Sequence, residues 1–115
     1  MQITIESPQS GITVMRPKDA LEMSNAYAFR QLLQAEVQRA ERGLILLLAE
    51  MKFSDSSGIA VLIEGLRWSR DRTLPYVLAH LTPAVQMVIE LARLENFFTI
   101  AGSLEEALAL IPDVP

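Results

Sequence analysis

Polar and apolar positions alternate at the start of the chain and change period soon after. Gln2–Glu6 reads QITIE, with two isoleucines on one side, which predicts a half-buried strand. Pro8, Ser10 and Gly11 mark a turn, and Ile12–Met15 resumes the alternation, so the pair reads as a hairpin. Pro17–Glu22 reads as a connector. Ala26, Phe29, Leu33, Val37 and Ala40 then recur every three or four residues, the stripe of a long helix capped by Ser24 or Asn25. Gly43 is placed to stop it. Leu44–Leu48 is apolar throughout and short, as a strand buried on both faces is.

A second helix starts within DSSG, with Ile59, Leu62, Ile63 and Leu66 as its buried stripe. Val61, Gly65 and Trp68 fall roughly opposite. Trp68 is then either a partly exposed anchor of the kind found at interfaces or a ring covered by a neighbouring helix. Pro75–His80 reads as a strand. Thr82-Pro83 starts a third helix, with Val85, Val88, Ile89 and Ala92 inward, Leu91 and Leu94 turning into the core, and Met87 exposed. Asn96–Ala101 reads as a last strand. Ser103 and Glu106 form a capping box before a short helix, Leu104–Leu110, and Pro112 and Pro115 close the chain. The predicted order is strand, strand, helix, then three strand–helix pairs. It implies an α/β fold: a mixed sheet with an N-terminal hairpin and about four helices packed on it.

Composition narrows the chemistry. The 115 residues suit one domain with a core of its own. There is no cysteine, so disulfides and thiolate catalysis are excluded. Ten basic against fourteen acidic residues leave a net charge of −4, and no basic cluster invites nucleic acid. The N-terminus lacks signal-peptide features, and no apolar run reaches the roughly 20 residues that span a bilayer. The expectation is a cytoplasmic protein without membrane insertion. His80 is the one histidine, and neither metal-ligand spacing nor a G-x-S-x-G nucleophile motif is present, so neither a metal site nor a catalytic serine is expected.

The candidate chemistry sits in KFSDSSGIA, residues 52–60, between two apolar blocks. A strand that turns into a helix presents its turn residues at backbone N–H groups without intrahelical partners. Asp55, Ser56 and Ser57 can each cap that helix, and Gly58 allows a bend or a close approach. The same geometry accepts a phosphate on a serine, which adds roughly −1.5 to −2 charge without unfolding the helix. Capping and regulated hydroxyl are both open on these residues alone.

The run LILLLAEMKFSDSSGIAVLI resembles the signature of the STAS domain, above all that of bacterial anti-sigma factor antagonists. There an apolar strand ends in D-S-[ST]-G, and a G-[IL]-x-x-[LF] helix start follows. SNAYAFRQLL is similar to the family's first helix entry, and TPAVQMVIELARLENFFTIAGSLEEALA to its last third. The resemblance covers nearly the whole chain and implies a single STAS domain over residues 1–115. Departures stand out as well, and Trp68 in the helix after the motif is one of them. KDALE replaces a G-E-[LI]-D stretch, with Glu22 in the aspartate's place; RDRTLP lacks the usual glycine; and Arg93 stands where a glycine often does.

The resemblance implies a non-enzymatic partner switch. The unphosphorylated antagonist binds an anti-sigma factor that is also a serine kinase. The kinase inactivates it by phosphorylating the first hydroxyl after the aspartate, and a PP2C-type phosphatase reverses the step. That hydroxyl is Ser56 here, with Ser57 as the alternative. Asp55, Ser56, Ser57, Gly58, Glu22, Ser24, Asn25 and Trp68 are the candidate partner-binding residues, Asp55 holding or orienting the turn and contributing to kinase recognition. No cofactor is implied. The competing reading is a constitutive STAS scaffold or adaptor in a larger complex, with DSSG only a helix cap.

Overall fold

The structure is a computed structural model that describes residues 1–113; Pro115 lies outside them. The hairpin forms from β1 (Ile3–Gln9) and β2 (Ile12–Pro17), antiparallel with Ile5 opposite Met15. Gly11 carries the turn at a φ of 84°, where a side chain would be strained. β2 pairs with β4 (Gly43–Leu47), β4 with β6 (Tyr76–Ala79) and β6 with β7 (Thr99–Ala101), all in parallel, giving the order β1-β2-β4-β6-β7.

Helices α1 (Met23–Arg39), α2 (Ser56–Asp71) and α3 (Pro83–Leu91) make the three parallel crossovers. The unbroken apolar run of β4 follows from burial on both faces. Leu44, Leu46 and Leu48 join one core with Phe29, Leu33, Leu62, Val85 and Ile89. Ile45 and Leu47 point the other way, into a smaller core with Ala107 and Ile111, where α4 (Leu104–Ala109) packs. Ser103 caps α4, accepting from Glu106 N–H at 3.1 Å, while the Glu106 carboxylate accepts from Gly102 N–H at 2.8 Å.

Several expectations need correction. The connector and the turn contain strands β3 (Asp19–Leu21) and β5 (Met51–Ser54), which pair in parallel as a separate two-stranded sheet. Strands of three and four residues are too short to leave a periodic signal. Gly43 does not stop α1, which ends at Arg39 with Ala40 extended behind it. It opens β4 because Ile111 packs on it: a Cβ there would lie 2.6 Å from Ile111 Cδ1. Val61 and Gly65 are buried, since α2 packs against α1 as well as the sheet. A Cβ on Gly65 would lie 2.7 Å from Leu33 Cδ2. Leu91 does not turn inward: it is 78% exposed, and Ala92 is exposed beside it. Leu94 does pack on the core, and Met87 is exposed.

Helices α1 and α2 run parallel and are fastened along their length. In the middle, Arg30 Nε donates to both Glu64 carboxylate oxygens, at 3.0 and 2.9 Å. At the C-terminal end, the Arg72 guanidinium donates to the carbonyls of Val37 and Ala40, the latter at 2.9 Å. A cation there meets carbonyls that lack helical partners. The N-terminal end is held by an anion.

Candidate functional site

That anion is Asp55. It is the N-cap of α2, and its Oδ1 accepts from Gly58 N–H at 3.0 Å. Its Oδ2 accepts from Met23 N–H, also at 3.0 Å, and Met23 is the first residue of α1. One carboxylate thus caps two helices. The small sheet makes this possible, because β3 and β5 lie side by side and deliver the starts of α1 and α2 to the same place. Asp55 N–H also donates to Leu21 O at 3.2 Å. Asp55 holds the turn, as expected, and engages both carboxylate oxygens in doing so.

Gly58 is required by space. A Cβ on it would lie 2.8 Å from Leu21 Cγ and from the Leu21 carbonyl oxygen, and would collide with Ser54 Oγ. Ser54 is buried and donates its hydroxyl to the Asp55 carbonyl at 3.1 Å. The hydroxyls of the turn therefore differ sharply: Ser54 is inside, Ser57 half-buried, and Ser56 exposed as the first residue of α2. Ser56 is the most accessible serine of the turn, on a capped helix start.

Glu22, Ser24 and Asn25 also gather at this end. The cap of α1 is Glu22, which displaces both expected caps. Asn25 is the third helical residue; its Oδ1 accepts from Glu22 N–H at 2.9 Å and its Nδ2 donates to Ala20 O at 2.9 Å. Ser24 is exposed, with its hydroxyl 3.4 Å from Glu22 Oε1. The side-chain amide of Asn25 suits the reciprocal half of a capping box, so its position three residues on matters more than its value as a cap.

Trp68 is not brought to this place. It lies twelve residues along α2 from Ser56, about 18 Å at 1.5 Å per residue. It is half-buried, with the Arg30 guanidinium 5.3 Å from its ring centroid. It belongs to the seam between α1 and α2. His80 is exposed at the end of β6, in a left-handed conformation (φ 55°), and its N–H donates to Ala101 O at 3.0 Å. Among the described residues no group of three or more histidine, cysteine, aspartate or glutamate side chains is placed to hold a metal ion. No helix there is long and apolar enough to cross a membrane.

Three exposed apolar side chains at this end of the molecule, Met23, Tyr27 and Phe53, were not among the expected site residues. Met23 and Tyr27 are four residues apart on α1, hence on one face. Their spacing outside the stripe of Ala26, Phe29 and Leu33 is the signal that would have found them.

The chain is similar to known proteins in sequence and in fold. A candidate anti-sigma factor antagonist, BtrV, from Bordetella bronchiseptica is 27% identical over 109 residues, covering 95% of this chain and 93% of the relative. An anti-sigma factor antagonist from Mycobacterium paratuberculosis superposes with a TM-score of 0.83 at 22% identity, over 97% of this chain and 94% of that one. The Bacillus cell fate determinant SpoIIAA, in its phosphorylated form, does so with a TM-score of 0.72 at 19% identity, over 94% and 97%. The family model for the STAS domain matches residues 5–107, a span that holds the mixed sheet but the start of β1, the doubly capped turn and all four helices but the end of α4, and the chain belongs to the STAS domain family.

Proposed function

We propose that this protein is an anti-sigma factor antagonist that works by phosphorylation-controlled partner switching in the cytoplasm. The unphosphorylated form binds an anti-sigma factor that is also a serine kinase. Phosphorylation of Ser56 releases that partner, and a PP2C-type phosphatase restores binding. The observation that carries the reading is Ser56 itself, an exposed hydroxyl on the first residue of α2. The serines beside it are half-buried at Ser57 and buried at Ser54. A phosphate at Ser56 faces the partial positive charge of the helix N-terminus, so the fold tolerates it. A partner closing over that hydroxyl meets bulk and charge instead.

The names of the relatives support the reading, as does the phosphorylated state of SpoIIAA, which shares the fold. No catalytic role is assigned to any residue: Asp55 is occupied by two backbone amides, so a base for phosphoryl transfer comes from the kinase. A constitutive scaffold is the second reading, and one observation favours it. The structural duties of Asp55 and Gly58 explain two of the four DSSG residues without any switch. Intact mass of the protein isolated from its native cells, beside Ser56→Ala, separates the two. A phosphate that vanishes in the variant supports the switch. An unmodified mass through growth, stress and stationary phase supports the scaffold.

A further inference from the structure

We propose that Asp55 is a positioning residue through which negative charge on Ser56 reaches the first turn of α1: the charge breaks the Met23 N–H to Asp55 bond and leaves the Gly58 N–H bond in place. For its biological meaning this rests on Ser56 being the phosphorylated hydroxyl.

The two bonds of Asp55 differ in kind. The bond to Gly58 is local, three residues away and partly buried. The bond to Met23 is exposed and joins residues 32 positions apart. Both helix N-termini direct their partial positive charge at this one carboxylate, and among the described residues neither Asp55 nor Glu22 is ion-paired. A phosphate on the adjacent residue adds roughly −1.5 to −2 charge and acceptor oxygens that compete for the free amides of α2. Like charges on neighbouring residues repel, and the carboxylate yields where it is least held. That is the exposed, long-range bond.

The consequence lies on α1. Met23, 78% exposed, stands on the turn that this bond secures, and Tyr27, 69% exposed, follows one turn on along the same face. Loosening the turn changes how both side chains are presented. A partner that reads them senses the state of Ser56 beyond the hydroxyl itself.

The test needs no partner. Amide exchange with solvent is measured by NMR for wild type, Ser56→Glu and Ser56→Gln, following Met23, Gly58 and the core strand residue Leu46. Glutamate places charge at the position, and glutamine has its shape without the charge. The expected result is at least tenfold faster exchange at Met23 in S56E alone, with Gly58 and Leu46 unchanged, and partial reversal in high salt. Unchanged Met23 exchange in S56E overturns the proposal. So does equal acceleration in S56Q, or loss of Gly58 protection together with Met23. Failure here leaves phosphorylation of Ser56 intact as a question for the mass measurement, and an unmodified native protein leaves this exchange experiment equally decisive.

Discussion

Replacing Asp55 with alanine removes the acceptor from two helix starts at once. Each bond is 3.0 Å long and charge-assisted. Loss of an N-cap acceptor typically costs about 1 kcal/mol, and the side chain is only partly buried, so the upper end of the range does not apply. The sum is about 2 kcal/mol. In urea, with a slope of about 1.5 kcal/mol/M for a domain of this size, the midpoint should fall by about 1.3 M at unchanged slope. Asp55→Asn retains one side-chain oxygen and should lose about half as much. Met23→Pro completes the argument. Met23 is the first residue of α1, where proline is tolerated but has no N–H to donate; Glu22 before it is already extended, as that residue must be. M23P should cost about 1 kcal/mol in the wild-type background and almost nothing in D55A. Equal costs in both backgrounds, or a D55A midpoint within about 0.3 M of wild type, would refute the double cap.

Other expectations follow from single features. Gly58→Ala drives a methyl into the Leu21 backbone and should destabilise by about 2–3 kcal/mol, seen as a lower urea midpoint. Thr73→Gly and Arg93→Gly should each stabilise by about 1 kcal/mol, raising the melting temperature by a few degrees, because both residues close helices at positive φ, 55° and 59°. Tyr76 is buried and donates to Leu62 O at 3.0 Å, and burial pushes its hydroxyl well above the ordinary tyrosine range. The native state therefore keeps a proton that the unfolded chain releases above about pH 10. Stability should fall there with a slope approaching 1.4 kcal/mol per pH unit. Tyr76→Phe should lack that slope in pH-dependent urea melts, while losing about 1 kcal/mol at neutral pH.

The helices were legible wherever a stripe ran for several turns, as at Phe29, Leu33 and Val37 or Val85 and Ile89, because burial against one sheet imposes a period. Val61 and Gly65 misled because a helix buried on two sides has no single stripe. The small sheet of β3 and β5 left no readable pattern, and with it went the relation between Met23 and Asp55, which are 32 residues apart. DSSG was readable as a cap and as a regulated hydroxyl; that its aspartate serves a second helix depends on that unread pairing. The glycine departures at RDRTLP and Arg93 have a physical meaning in the structure. At Thr73 and Arg93 the backbone takes the left-handed conformation that glycine favours, with Leu74 N–H bonded to Ser69 O and Leu94 N–H to Ile89 O.

The central claim is that charge at Ser56 governs a protein contact. It is tested most directly by the affinity of purified wild type, Ser56→Ala and Ser56→Asp for an anti-sigma factor kinase from the same cells. Wild type and S56A should bind alike, and S56D should bind at least tenfold more weakly with its fold intact by urea melting. Equal affinity of S56A and S56D would contradict it.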